Sequence, residues 1–279
     1  MTYKTGQRFR FVVFSDVHLG HRLASINNFK REVIDRYKDD KDTYFFDLSD
    51  CCDMIVAQTG DKRFKPSMIE PRYLVVDNPV DLQIEDYCDL LAPIADRVLG
   101  ICSSNHHDKI LSLTGTDPTR RICYTLWKGT EAERRFLGWE NFVGIRFSYA
   151  NSGHRTRTLS WYLSHGATTG GRTEGGHITS LGNIAMNYGE CDIYAFGHNH
   201  QLETWDRIQL IPCYKTEREK SKRLIRLNTG TYQRSRSRDQ SVSYPEGKSM
   251  KPNSIGHIEA EVTFKDSGME IVTTKRMIL

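Results

Sequence analysis

RFRFVVFSDVH, residues 8–18, sets an apolar run directly against Ser15, Asp16, Val17 and His18. A short apolar segment without alternation reads as a strand buried on both faces. The polar residues then fall where such a strand leaves its sheet. The same arrangement recurs along the chain. TYFF (43–46) runs into Asp47, Leu48, Ser49 and Asp50, and RVLGIC (97–102) into Ser103, Ser104, Asn105 and His106. TLSWYLS (158–164) runs into His165 and Gly166, and DIYAF (192–196) into Gly197, His198, Asn199 and His200.

Between these runs lie helical segments. INNFKREVIDRYKDD (26–40) carries Phe29, Val33 and Ile34 at helical spacing, and VDLQIEDYCDLLAPIADRV (80–98) is amphipathic. DPTRRICYTLW (117–127) opens with the Asp-Pro signal of a helix start. Strand alternating with helix predicts a layered α/β fold. From about residue 200 the texture turns to strands: QLETWDRIQLI, RLIRLNTG, GHIEAEVTF and MEIVTTKRMIL. With no internal repeat, the expectation is one domain over 1–279, with a motif core over 10–200 and a β-rich part over 201–279. KTEREKSKR (215–223) and RSRSRDQS (234–241) read as exposed loops.

Composition fits a folded, water-soluble chain: 38% hydrophobic and 27% charged residues over 279 positions. The net charge of +4 permits an anionic partner without requiring one. No apolar run approaches the roughly 20 residues of a membrane helix, and the start has only the short FVVF core of a strand. Seven cysteines without CxxC spacing argue against a disulfide framework or a thiolate zinc site. A reducing cytoplasm is the expected location, with no membrane partner.

The strand ends deliver side chains of metal-ligand type: Asp16 and His18, Asp50 with Asp53, Asn105 and His106, His165, then His198 and His200. In α/β sheets the loops beyond the strand C-termini form the binding crevice. Carboxylate, amide oxygen and imidazole together suit manganese, iron, zinc or nickel better than calcium or magnesium. Asp-x-His and His-x-His spacing turns both side chains toward one site if the segment is extended. Asp53 reads equally well as a partner of Asp50 at a helix N-cap. His21, His154, His177 and His257 match no motif and read as surface or packing residues, as Cys51 and Cys52 read as packing.

The ordered set DVH (16–18), SDCCD (49–53), SNHH (104–107), SHG (164–166) and GHNH (197–200) resembles the calcineurin-like metallophosphoesterase superfamily. That pattern is D-x-H, G-D-x-x-D, G-N-H-[DE], a lone His and G-H-x-H, and the match covers roughly residues 10 to 200. The resemblance implies an α/β fold, a four-layer α-β-β-α sandwich of two mixed sheets flanked by helices. It implies two divalent metal ions, manganese first and iron, zinc, nickel or magnesium behind it. Carried over by position, one ion takes Asp16, His18 and His200 and the other takes Asn105, His165 and His198, with Asp50 shared. His106 matches the catalytic histidine that is not a ligand, placed to stabilise the transition state or protonate the leaving oxygen. Paired cations polarise a phosphoryl oxygen and activate a water for in-line attack.

Three positions depart from the pattern. Ser49 and Ser104 stand where it has glycine, which marks either positive φ or close approach. His107 stands where it has an acid, and Asp108, one place later, is the candidate to replace that carboxylate as a second catalytic residue. A looser resemblance, through SNHHDKILSLTGTDPTRRIC and SHGATTGGRTEGG, is to small stand-alone phosphoesterases of phage and prophage origin, distant relatives of the Mre11/SbcD nuclease subunits. Gly171 and Arg172, in the glycine-rich loop after His165, are candidate phosphate-binding residues, or part of a plain surface loop. Lys215, Arg218, Lys220, Lys222, Arg223, Arg226, Arg234, Arg236 and Arg238 form a late basic cluster, either a grip on a nucleic-acid backbone or a solvated run.

The expected function is a dinuclear-metal-dependent phosphoesterase cleaving phosphodiester bonds of nucleic acid or nucleotides, similar to a DNA exonuclease. Its partner is then a phosphoester substrate, DNA or RNA included, and its place the host cytoplasm if phage-encoded. A phosphomonoesterase or protein-phosphatase-like enzyme is the near alternative. A metal-binding protein with weakened catalysis and a binding or structural role is the distant one.

Overall fold

The computed structural model describes residues 1–166, 176–213, 218–237, 252–266 and 268–278. Among these the strands are, in chain order, β1 Thr2–Tyr3, β2 Arg8–Phe14, β3 Thr43–Asp47, β4 Val98–Cys102, β5 Phe136–Gly138 and β6 Glu140–Tyr149. They continue with β7 Ser152–Ser164, β8 Ile193–Phe196, β9 Leu202–Cys213, β10 Arg218–Thr229, β11 Gly256–Lys265 and β12 Gly268–Met277. The helices are α1 Ile26–Phe29, prolonged by a π-helical Lys30–Asp35, then α2 Pro79–Leu91, α3 Asn105–Thr114, α4 Pro118–Leu126, α5 Thr130–Arg135 and α6 Gly176–Asn187.

Two mixed six-stranded sheets stack in an α/β fold, one ordered β12-β11-β2-β3-β4-β5 and the other β1-β6-β7-β8-β10-β9. The strand period of two sorts the apolar residues into layers. Phe11 and Val13 join Phe46, Phe147, Trp161, Leu163, Ile225 and Ile258 in the core between the sheets. Val12 and Phe14, their neighbours on β2, cluster instead with Phe29, Ile84, Tyr87 and Ile122 on the helical side. Tyr162, Tyr194 and Phe196 pack with Leu181 and Ala185 of α6 on the far face. The result is helix, sheet, sheet, helix, and central strands buried on both faces have no polar face to alternate with. At roughly 1.5–3 kcal/mol per large buried side chain, the cores on the two faces of the β2 sheet are together the main source of stability.

Capping follows the sequence signals. Asp117 accepts from the backbone amides of Thr119 (2.8 Å) and Arg120 (3.2 Å), and Asn78 accepts from Asp81 (3.2 Å), each directly before a helix-opening proline. The chain after residue 200 completes both sheets, with β11 antiparallel to β2 and β10 parallel to β8. The expected loop at 215–223 is corrected in part: from Arg218 onward it is the start of β10, twelve residues in register against β9. Two of its charges are engaged, Lys222 3.5 Å from Glu190 and Arg223 with Asp206, whereas Arg226 is buried with its Nε unpartnered. Cys51, Cys52, Cys88, Cys102, Cys123 and Cys191 are buried thiols outside any disulfide. No helix among the described residues is long and apolar enough to cross a membrane.

Candidate metal centre

The ends of β2, β3, β4, β7 and β8 converge, and each releases its polar residues at the place where the two sheets meet. The backbone there is left-handed at Asp16 (φ 54°), His18 (51°), Ser49 (75°), Asp50 (47°), His198 (69°) and His200 (55°). Such conformations cost residues other than glycine about 1–3 kcal/mol each and persist only where surrounding structure enforces them. Here the enforcement is visible. Asp16 N–H donates to Ser49 O (2.8 Å) and His18 N–H to Asp50 O (2.9 Å), while Asp16 O accepts from Thr231 Oγ1 (2.7 Å). Gly197 lies so close that an added Cβ would stand 2.7 Å from Ser15 Oγ and 3.2 Å from Asp16 Oδ2.

This resolves the two serines. Ser104 is extended (φ −145°) and has no need of glycine. Ser49 is left-handed, and its hydroxyl is buried without a partner. Asp47, also buried, accepts from the Ser49 backbone amide at 2.8 Å, a contact that survives substitution. Ser49→Gly is therefore expected to stabilise the fold by about 1–2 kcal/mol. That is a rise in Tm of roughly 2–6 °C, read in a thermal melt, with metal content unchanged.

The ligand-type atoms form contiguous groups. In the first, His200 Nε2 lies 3.0 Å from Asp16 Oδ1 and 3.3 Å from His18 Nε2. In the second, which also includes His198, His165 Nε2 lies 3.2 Å from Asn105 Oδ1 and 3.4 Å from Asp50 Oδ2. The far nitrogens are held from behind, His165 Nδ1 on Leu48 O (2.7 Å) and His18 Nδ1 on Asp53 Oδ1 (3.2 Å). That leaves both Nε2 atoms facing the centre, the orientation that metal-binding histidines require. Asp16, Asp50 and His165 are buried, whereas Asn105, His198 and His200 are half-buried and border the opening.

The donor set fits divalent cations. Asp50 Oδ1 is buried with no hydrogen-bond partner, a state that costs a charged group upwards of about 1–3 kcal/mol unless something positive meets it. Two imidazole nitrogens 3.3 Å apart beside the Asp16 carboxylate are likewise ligand-type atoms within reach of one cation. A cation beside Asp50 would meet its bare oxygen.

Electrostatics in the metal-free fold follow from the same packing. Burial opposes charge on His18, but Asp16, Asp53 and Asp50 outweigh it and hold His18 at about 10. Burial likewise opposes charge on His165, and Asp50 raises it to about 9. Burial would lift Asp50 too, yet His106 and His165 hold its carboxyl well below the usual range. At Asp47 burial outweighs the hydrogen bonds from Tyr87 and Ser49 and pushes it up to about 7.

Both raised histidines are thus protonated at neutral pH and must lose their protons to ligate. Metal uptake near pH 7.5 is expected to release about two protons, one from each, measurable by calorimetry in buffers of different ionisation enthalpy. Apparent affinity rises with pH toward 9–10. The metal-free fold behaves oppositely. The stabilisation from these two groups is full below pH 6.5 and is lost as pH rises through 9 to 10.

His106 and His107 part company because they begin a helix, α3, absent from the sequence reading. At 3.6 residues per turn, consecutive side chains point about 100° apart. His106 faces the centre, with Nδ1 2.5 Å from Asp53 O and Nε2 3.9 Å from Asp50 Oδ2. His107 enters the core against Thr119 Oγ1 (2.7 Å) and Cys51 Sγ (3.6 Å). Asp108 is exposed on the first turn of α3 and makes no hydrogen bond to His106, which corrects its expected role as the substitute carboxylate. Asp53 caps no helix; it orients His18 instead. Gly171 and Arg172 lie outside the described residues.

Sequence reading missed Arg63. It comes from a segment without periodicity, and its guanidinium reaches His106 Nε2 at 3.0 Å. The only sequence signal for it is a lone arginine between Lys62 and Phe64.

No protein-family model and no curated protein matches the chain. Among solved structures it is similar to a double mutant of Vps29 from Entamoeba histolytica, at 13% identity over 96% of this chain and 99% of that one, TM-score 0.42. It is also similar to a metallophosphoesterase from Sphaerobacter thermophilus, at 11% identity over 96% and 87%, TM-score 0.37. A third likeness is to GAP50, the anchor in the inner membrane complex of Plasmodium, at 9% identity over 98% and 89%, TM-score 0.46.

Proposed function

We propose that this chain is a calcineurin-like, metal-dependent phosphoesterase that cleaves phosphodiester bonds, with nucleic acid or nucleotides as substrate. The observation that carries the reading is the set of His/Asp groups Asp16–His18–His200, His18–Asp53–His106 and Asp50–His165–His198, the last with a buried Asp50 oxygen that has no partner. Asp16, His18 and His200 would hold one cation and Asn105, His165 and His198 the other, with Asp50 as the carboxylate beside them. When bound, divalent cations supply Lewis-acid charge for a phosphoryl oxygen and activate water at neutral pH.

The remaining work falls to the chain. Asp53 and the Leu48 carbonyl fix the imidazole tautomers, so the ligand nitrogens are presented without rearrangement. The buried strand ends exclude bulk water on one side, while Asn105, His198 and His200 are half-buried and reach solvent on the other. His106 faces the reacting position without belonging to either ligand group. Its Nδ1 proton is committed to Asp53 O, so the atom turned to the centre is Nε2. The net charge of +4 suits a polyanionic substrate.

The test is turnover of bis-p-nitrophenyl phosphate by purified protein with manganese, abolished by chelator. Silence with manganese, nickel, cobalt, iron and zinc overturns the enzyme reading, and two bound ions without turnover would mark a binding protein. Comparing p-nitrophenyl phosphate with the diester separates monoesterase from diesterase.

A further inference from the structure

We propose that Arg63 contacts a non-bridging oxygen of the substrate phosphate, positioned for this by Asp61. The inference rests on the phosphoesterase reading and adds a cation from the chain itself to the centre.

The geometry is that of a held fork. Arg63 Nε and Nη2 lie 3.1 and 2.8 Å from the two carboxylate oxygens of Asp61, a bidentate pair. Nη1 is left to point inward, 3.0 Å from His106 Nε2. Asp61 is mostly covered, its side chain 11% exposed against 41% for Arg63, so the carboxylate anchors a guanidinium that lies nearer solvent. His106 Nε2 in turn stands 3.9 Å from Asp50 Oδ2. The free donor of Arg63 is therefore one imidazole away from the ligand groups.

A neutral imidazole is a modest acceptor for a guanidinium. An anionic phosphate oxygen is a stronger one, because opposite charges add a Coulomb attraction that a neutral ring lacks. An ester bound at the centre would thus take the Nη1 donor from His106. The exchange also releases His106 Nε2, which otherwise spends its lone pair on Arg63. The two groups act in sequence: Arg63 occupies His106 in the free protein and turns to the phosphate in the complex. Lysine could not substitute, since one ammonium cannot keep the two-point contact with Asp61 and reach inward as well.

The test uses the full chain loaded with manganese, with bis-p-nitrophenyl phosphate as substrate and inorganic phosphate as competing ligand. Arg63→Ala is expected to lower kcat/KM about 10²-fold, the usual loss for one preorganised donor, and to weaken phosphate inhibition about tenfold or more. Metal content and Tm stay unchanged. Arg63→Lys falls in between, Asp61→Asn loses about tenfold, and added guanidinium ion restores part of the Arg63→Ala activity. If Arg63→Ala keeps kcat/KM and phosphate affinity within about twofold, Arg63 is not the contact, while turnover by the wild type leaves the phosphoesterase reading standing. If the wild type does not turn over, calorimetric titration with phosphate still decides. Weaker binding by Arg63→Ala supports the contact, and equal binding, or none by the wild type, overturns it.

Discussion

His106→Asn is expected to reduce turnover by about 10³-fold while both metal sites stay filled, a loss typical of a positioned proton-transfer or electrostatic group. The asparagine amide can still donate to Asp53 O, so the helix start is preserved. His107→Ala is expected to do the reverse. Its kcat stays near wild type, but the substitution opens a cavity beside Cys51 and leaves Thr119 Oγ1 without its 2.7 Å partner. Cavity and lost hydrogen bond together cost about 2–5 kcal/mol. Metal analysis, steady-state kinetics and thermal melts on the pair distinguish the two roles. If His107→Ala were the dead enzyme and His106→Asn the unstable one, the assignment would be out of register by one residue.

The pair also differs in acid. Burial pushes His107 down to about 3. A histidine depressed in the fold stabilises above its unfolded value, about 6.5, and that stability is lost as pH falls toward 3. The wild type should weaken over this window, and His107→Ala should lose part of that dependence, as melts between pH 3 and 7 would reveal.

Asp50→Asn carries the second large effect. Asp50 faces His165 at 3.4 Å and His106 at 3.9 Å, and its other oxygen is buried without a partner. Removing the charge withdraws several kcal/mol of stabilisation from cations and transition state, which is about 10³-fold or more in rate. Metal stoichiometry is expected to fall from two to one or fewer. Asp50 is also the main attraction that lifts His165. In the variant His165 should deprotonate nearer neutrality, so its share of the proton release on metal addition shrinks. Retention of two tightly bound ions by Asp50→Asn would refute the shared-ligand assignment.

The strands that carry the centre were legible because burial on both faces demands uninterrupted apolar residues. RFRFVVF coincides with β2, and the runs before Asn105 and His198 coincide with β4 and β8 to within a residue. The candidate ligands were legible for the same reason, each lying within four residues of a buried strand end. Helix α3 was hidden by its composition, since a polar opening NHHD masks a helix held by few apolar contacts. RLIRLNTG already read as strand, but the charged start of β10 from Arg218 was hidden, because a charged run reads as solvated until a neighbouring strand supplies its hydrogen bonds.

What the sequence determined by itself was thus the layered strands and the polar residues at their ends, since burial is a property each residue records locally. Tertiary structure alone decided direction and partnership. It turned His106 inward and His107 into the core, put Asp108 in solvent, made Asp53 the support of His18, and brought Arg63 to His106 across 43 positions and His200 to Asp16 across 184. Hydrogen bonds hold over about 3 Å and only along particular angles. Contacts that directional, between segments so far apart in the chain, exist only once both sheets have packed.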